Sequence, residues 1–527
     1  MKLVHRVTHL DPKGGQYGRG VIRAEADIHP DDWFLTCHFV DDRVMPGTLM
    51  YECCLHTLRI FLMRLGWVGG QQEGAWEPVP GVASRLKCRG QVVETTRVAA
   101  YEVSIKELGF RPEPYAIADA LMYADGKAIV EITDMTLQLT GMTPEKLQAI
   151  WRNSALSEAR TARNEPPTPK ALFDHDRILA FAVGKPSDAF GEPYRPFDDT
   201  RFVARLPGPP YQFLDRITAI QAEAWKTKAG GVIEAQYDVP PDAWYFTANR
   251  QERMPYAILL EVALQACGWT AAYMGSALTS SDDLHFRNLG GEAVQLAEVT
   301  PSSGTLTTTV RVTKVSKSAG MIIQRYDLDV RAGDQPIYRG NTYFGFFTRE
   351  ALAQQVGIRD AAIYPITDAD RGRGRKRQYP SGPPFPDTPL RMIDRIDLYL
   401  PDGGPHGLGL VLGSKDIDPK EWFFKAHFYQ DPVWPGSLGL EALVQLLKVA
   451  AAERWQAAPD SQFETVVLGK EHGWLYRGQV LPMNRQVSIQ AELTAVDDAH
   501  CRIEADGFLS VDGRIIYHMT GFSVGLR

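Results

Sequence analysis

Two histidines in this sequence share one context. His38 and His427 each stand eight residues before the proline of a Pro-Gly pair, Pro46-Gly47 and Pro435-Gly436, and a glutamate follows that proline by six residues, Glu52 and Glu441. An imidazole and a carboxyl group at the start of a helix can divide acid–base work between them. A glycine there lets a carbonyl oxygen approach backbone N–H groups at the positive end of the helix dipole. Base, acid and oxyanion donor are the groups that elimination of water from a β-hydroxy thioester requires: one removes the α-proton, one polarises the thioester, one protonates the leaving hydroxyl. A lone histidine beside a helix is usually structural, and a lone helix glutamate is often a paired core carboxylate. Repetition of the whole set at one spacing argues for a site instead.

The elements that must position these groups recur with them. Trp33–Trp67 and Trp422–Trp455 each pass the histidine, an acidic loop and the Pro-Gly pair, then run as an apolar segment. About twenty such residues make a buried helix. A third, altered copy starts at Trp244: Asn249 takes the histidine position, Tyr256 replaces the glycine, the loop is two residues shorter, and Glu261 keeps its place six residues after Pro255. It reads as a degenerate site on an intact scaffold. Strand-like runs follow each helix, and a hairpin signal lies 80, 79 and 78 residues after the turn proline, at Gly126, Asp334 and Gly513. A long helix, apolar nearly all round and wrapped by antiparallel strands, is an α+β arrangement. The openings LPGPPYQFLDRI (206–217) and PDTPLRMIDRI (386–396) match each other, and the first copy keeps only VHRV, so its front edge reads as truncated. The expected organisation is a first unit at 1–150, a linker at 151–200 opening on a helix from Glu145, a degenerate unit at 201–350, a linker at 351–385, and a third unit at 386–527. The basic run RGRGRKR at 371–377 is assigned to solvated linker.

Bulk properties fit several soluble cores: 527 residues, 44% hydrophobic, 23% charged, net charge −7. The charge argues against nucleic acid as a partner. No apolar run reaches the ~18 residues of a membrane span, and no signal peptide is evident. The six cysteines lack metal-ligand spacing, so no metal is expected, and they read as reduced core thiols of a cytoplasmic protein. Cys37, alternating with His38 on an expected strand, faces away from it. His56 and the remaining histidines lack the repeated context and receive no catalytic part. Neither a dinucleotide fingerprint nor a P-loop is present, so no cofactor is expected.

WFFKAHFYQDPVWPGSLGLEALVQ resembles the active-site stretch of the β-hydroxyacyl-acyl-carrier-protein dehydratase/isomerase family, which has the hot-dog fold. WFLTCHFVDDRVMPGTLMYECCLH resembles the dehydratase region of polyunsaturated fatty acid synthases, where such domains stand in tandem. The resemblance spans essentially the whole chain. It implies His38 and His427 as bases, Glu52, Glu261 and Glu441 at the acid position, and Gly47 and Gly436 as thioester-carbonyl donors. The family usually carries Asp where these glutamates stand. Gln265 and Gln445 match the family helix, with His56 in the first copy. The substrate would arrive on the phosphopantetheine of an acyl carrier protein, within a larger synthase.

Hot-dog dehydratases work in pairs, each site taking its histidine from one member and its acid from the other. Pairing copies one and two, the favoured arrangement because neighbours in sequence pack together, gives a site of His38, Glu261 and Gly47, and a dead reciprocal of Asn249 and Glu52. The third copy then needs another partner, in a homodimer or outside these residues. Pairing copies one and three gives His38–Glu441 and His427–Glu52. Isomerisation of a trans-2 to a cis-3 double bond uses the same base and stays open at one site. The competing readings are thioester hydrolysis on the same fold and a non-catalytic docking scaffold for carrier domains.

Overall fold

A computed structural model describes residues 3–39, 41–68, 74–110, 113–147, 171–318 and 320–527. The chain divides into two units, Met1–Thr168 and Pro169–Arg527.

The first unit is one hot-dog. Its central helix, Gly47–Arg64, lies across the strands Val21–Asp27, Val98–Gly109, Tyr115–Ala124 and Lys127–Thr140. These belong to a seven-stranded antiparallel sheet, with Arg6–Asp11 on one edge and Ala75–Glu77 and Arg85–Cys88 both pairing with Lys127–Thr140. The strands alternate in burial, and the helix presents Leu49, Met50, Cys53, Cys54, Leu58, Phe61 and Leu62 to them. Gly20 sits at φ 127°, where a Cβ would run into the Phe61 ring.

The second unit is a double hot-dog made of copies two and three. Its two central helices, Tyr256–Tyr273 and Gly436–Trp455, pack against each other inside one fourteen-stranded sheet. The halves join where His285–Gln295 pairs antiparallel with Glu471–Tyr476, from Gly290 opposite Leu475 to Val294 opposite Glu471. Tight approach at this seam needs Gly291, where a Cβ would meet the Trp474 ring and the Asn341 carbonyl at 2.5 Å. Trp474 Nε1 donates across the seam to Asn288 Oδ1 at 2.9 Å. Both helices bury nearly every residue, because sheet covers one side and the sister helix the other.

This pairing corrects the favoured expectation: copy two is joined to copy three. Adjacency in sequence could not decide, since copy two is next to both.

The segments expected as linkers are structured wherever they are described. After residues 148–170, which lie outside the described residues and include most of the helix expected from Glu145, the chain forms short helices. His175–Val183 is N-capped by Asp174, whose carboxylate accepts from the Arg177 N–H at 3.1 Å. Phe173 and Phe190 pack on Trp269 of the central helix, with ring centroids 4.8 and 5.8 Å apart. Their aromatics had no helical period long enough to read. The basic run is also no linker: Arg375–Gln378 is an edge strand on Arg395–Leu400, and Arg375 and Arg377 both pair with Glu453. Exposed on both faces, it carries no apolar alternation to betray it. The strand expected around Cys37 and His38 is instead a short helix, Trp33–Cys37, with His38 as its C-cap; Trp422–Ala426 repeats this before His427. All six cysteines are free, but Cys37 and Cys88 are exposed and Cys501 half-buried, because these three lie at a helix end, on an edge strand and in a turn, not in the core. Among the described residues no helix is long and apolar enough to cross a membrane.

Candidate active site

His427 follows the short helix Trp422–Ala426 and leads into a loop that closes back on it. The Val433 N–H donates to the His427 carbonyl at 2.8 Å, and His427 Nδ1 lies 3.0 Å from the Val433 carbonyl oxygen. A carbonyl only accepts, so Nδ1 carries the proton and Nε2 keeps its lone pair. Burial pushes the imidazole pKa down to about 3. At neutral pH this ring is an uncharged base.

The carboxyl group that shares its cavity comes from the other half. Glu261, in the second turn of Tyr256–Tyr273, is 6% exposed. One carboxylate oxygen accepts from Ser437 Oγ of copy three at 2.7 Å, and the other from Gln265 Nε2, one turn on, at 3.0 Å. Ser437 Oγ is also 2.8 Å from the Tyr211 hydroxyl. Gln265 is fixed by the Phe213 N–H (2.8 Å) and the Tyr211 carbonyl (2.9 Å). Burial raises the Glu261 pKa, and the two donors partly oppose it. A carboxyl held up by burial is suited to donate a proton.

His427, Glu261 and Gly436 line one cavity of about 830 Å³, its open mouth included. Apolar walls come from both halves, among them Leu264, Phe286, Phe344 and Val433. Trp434 Nε1 and the Tyr476 hydroxyl, also in the lining, have no hydrogen-bond partner among the described residues. Gly436 opens the central helix, and a Cβ there would lie 2.8 Å from the Tyr476 ring.

The other residues singled out in sequence fall elsewhere. Glu441 does not share the cavity with His427. Its Oε1 is 3.5 Å from Lys448 Nζ and 3.4 Å from Gln445 Nε2, and its Oε2 has no partner among the described residues. Burial above all, with the Glu441 charge adding to it, raises the phenols of Tyr256 and Tyr379. Asn249 Nδ2 donates to the Arg253 carbonyl at 3.1 Å, the carbonyl that matches Val433 in register before the turn proline. Asparagine thus reproduces the orienting bond and lacks the second ring nitrogen.

In the first unit His38 Nδ1 lies 2.8 Å from the Val44 carbonyl oxygen, the same arrangement as at His427. Glu52 pairs with His56 Nε2 at 3.0 Å, and both are partly exposed. Burial lowers the His56 pKa while Glu52 opposes the shift. His56 therefore stands against the glutamate in the place that Gln265 and Gln445 take in the other copies, the position at which the sequence alignment of the copies put it. Gly47 opens this helix, and a Cβ there would be in ordinary contact with Cys88 Sγ, at 3.5 Å.

Sequence reasoning missed Ser437, Tyr211, Arg287 and Asp431. For Asp431 a signal existed, since Asp42 and Asp431 both follow their histidine by four residues. Ser437 and Tyr211 act across copies, where no local spacing reports them.

Fold and site together define a double hot-dog with an imidazole and a carboxyl group drawn from opposite halves into one cavity, accompanied by a single hot-dog. Residues 1–133, 206–341 and 385–520 each match the FabA-like domain, and the chain belongs to that family. It is 26% identical over 660 aligned positions to one of the polyunsaturated fatty acid synthase subunits of Thraustochytrium sp., covering 99% of this chain and 44% of that protein. The chain thus spans less than half the length of that relative. Among solved structures, the dehydratase domain from the CurJ module of the curacin polyketide synthase is 12% identical with a TM-score of 0.35, covering 59% of this chain and 96% of its own. The acyl-CoA thioesterase II TesB2 of Mycobacterium marinum is 10% identical with a TM-score of 0.32, covering 56% and 91%.

Proposed function

We propose that the second unit is a β-hydroxyacyl thioester dehydratase. One observation carries this reading: a neutral, buried imidazole and a buried carboxyl of raised pKa, contributed by different copies, line the same largely apolar cavity. His427 Nε2 takes the α-proton. The thioester carbonyl, lying at the helix start by Gly436, develops negative charge where the dipole stabilises it. Glu261 gives its proton to the β-hydroxyl; the C–H electron pair becomes the new C=C bond, and the C–O pair departs with the oxygen as water. The enzyme is left as imidazolium and carboxylate, and proton return through the cavity mouth resets it.

The substrate class is a β-hydroxyacyl chain on the phosphopantetheine of an acyl carrier protein, in polyunsaturated fatty acid or related polyketide synthesis, with the other modules of a synthase as partners. The family membership and the likeness to the Thraustochytrium synthase support this. Hydrolysis of the thioester is less well served: the cavity holds a base aimed by Val433 beside a carboxyl whose pKa burial raises, and water attack calls for an ionised carboxylate. A purely scaffolding role leaves the oriented His427 without a purpose. The same imidazole can take a γ-proton from the enoyl product and return it at the α-carbon, which would add isomerisation.

The test is turnover of a β-hydroxyacyl thioester by the full chain, His427→Ala and Glu261→Gln. Each variant is expected to lose at least about 100-fold in kcat, as removal of an essential acid–base group does. Glu441→Gln is expected to retain turnover. Equal rates in all four proteins would sink the assignment, and a free acid as the sole product would establish hydrolysis. A 3-enoyl thioester among the products would establish the isomerase step. For the first unit, His38 with its Val44 bond is the base we assign, and Glu52 an acid position. In a His427→Ala background, any remaining turnover abolished by His38→Ala would locate a second site there.

A further inference from the structure

The loop from Phe428 to Val433 supplies the carbonyl that fixes the His427 tautomer. Its backbone closes on itself, with the Phe428 N–H to the Asp431 carbonyl at 3.1 Å and the Asp431 N–H to the Phe428 carbonyl at 3.2 Å. Its side-chain anchor is Asp431, and the partners of Asp431 are on copy two. Arg287 Nη1 and Nη2 donate to its two oxygens at 2.8 and 3.0 Å, and His285 Nδ1 lies 2.9 Å from the first of these oxygens. Arg287 is itself aimed: its Nε donates to Gln479 Oε1 at 2.9 Å and Nη1 to the Phe286 carbonyl at 3.0 Å. His285 packs on the Phe202 ring, centroids 4.5 Å apart. The three side chains are 7–12% exposed.

A buried ion pair of this kind is weak evidence for stability, since desolvation offsets much of the Coulombic gain. A bidentate guanidinium–carboxylate fork does fix geometry. Arg287 and His285 stand on the very strand that joins the halves, so the fork ties a rigid element of copy two to the loop that orients the base of copy three. In the first unit the corresponding Asp42 is exposed.

We propose that Asp431, gripped by Arg287 and His285, is the positioning residue for His427. The half that has lost its own histidine thereby supplies the alignment of the base as well as the acid. This rests on His427 acting as the base of the proposed dehydratase, so the test carries one readout that does not need turnover.

The full chain would be compared with Arg287→Met, Arg287→Lys and Asp431→Asn. Kinetics with a β-hydroxyacyl thioester should show kcat down by about 100-fold in Arg287→Met, the scale of a small misplacement of a reacting group. Arg287 also borders the cavity, so KM can shift, but kcat should fall by the larger factor, because the change acts on the alignment of the base. Arg287→Lys, which can still donate to one oxygen, should recover part of the loss. In parallel, nitrogen-15 NMR of the histidine rings should show the His427 Nδ1 proton protected from exchange in the wild type, exposed in Arg287→Met and partly protected in Arg287→Lys. Wild-type kcat in Arg287→Met and Asp431→Asn overturns the proposal. So does a fall in kcat with the His427 signal unchanged, which would mark a general packing effect. If the wild type does not dehydrate the substrate, the functional reading fails, and the NMR comparison still decides whether the fork orients His427.

Discussion

The role proposed for His427 rests on what surrounds it. Burial disfavours the imidazolium, and the Val433 carbonyl fixes which nitrogen is bare. The sign of the resulting pH effects follows. An unfolded histidine binds its proton below about pH 6.5, whereas the native ring resists to about 3. The unfolded state therefore holds more protons in that window, and the second unit loses stability as the pH falls through it. Chemical denaturation of wild type and His427→Gln between pH 7 and 4 should show a shallower acid slope in the variant. Catalytic activity has the opposite boundary: it should persist below pH 6.5 and fail on the alkaline side as Glu261 ionises. Ser437→Ala removes a donor that favours the Glu261 carboxylate, so it should move that alkaline limb upward in a kcat–pH profile, with a loss of about tenfold in kcat. At this scale the histidines, glutamates and Pro-Gly turns were legible because they repeat at one spacing. Ser437 and Tyr211 were not, because the bonds of Ser437 to Glu261 and to Tyr211 cross between copies.

The elements tell which half owns which group. The seam between His285–Gln295 and Glu471–Tyr476 brings Gly291 under the Trp474 ring, so the absent side chain is as much a part of the joint as the hydrogen bonds are. Gly291→Val should destabilise the second unit by at least about 1–3 kcal/mol, the usual range for overpacking, measured as a lower urea midpoint. Central helices and hairpins were readable from apolar runs and turn residues. The edge strand Arg375–Gln378 was not, for it is basic and exposed, and its Arg–Glu453 pairs involve a helix some 75 residues away. The aromatic helices after residue 171 were hidden by their shortness. Nor could strand patterns reveal the pairing of copies, which depends on side-chain size at the seam.

Across the whole second unit, two related halves have parted in chemistry. On one side the histidine, glycine and carboxyl of the site meet. On the other, asparagine and tyrosine replace the first two, and Glu441 is left facing Lys448 in the core, both about 1–2% exposed. Lys448→Met should strand a buried charge and cost about 3–5 kcal/mol. Pairing it with Glu441→Gln should recover most of that, in a double-mutant cycle read by thermal or denaturant unfolding. Sequence alone gives this glutamate the same standing as Glu261, but it lies outside the cavity that His427 lines.

Copies two and three are joined both by backbone and by one continuous sheet. Encounter of base and acid is consequently an intramolecular event, with an effective concentration that the solvent volume cannot alter. Serial dilution of the full chain should leave turnover per mole constant. Tethering also frees each half from the obligation to be its own mate, and a substitution in one can be answered in the other without being duplicated.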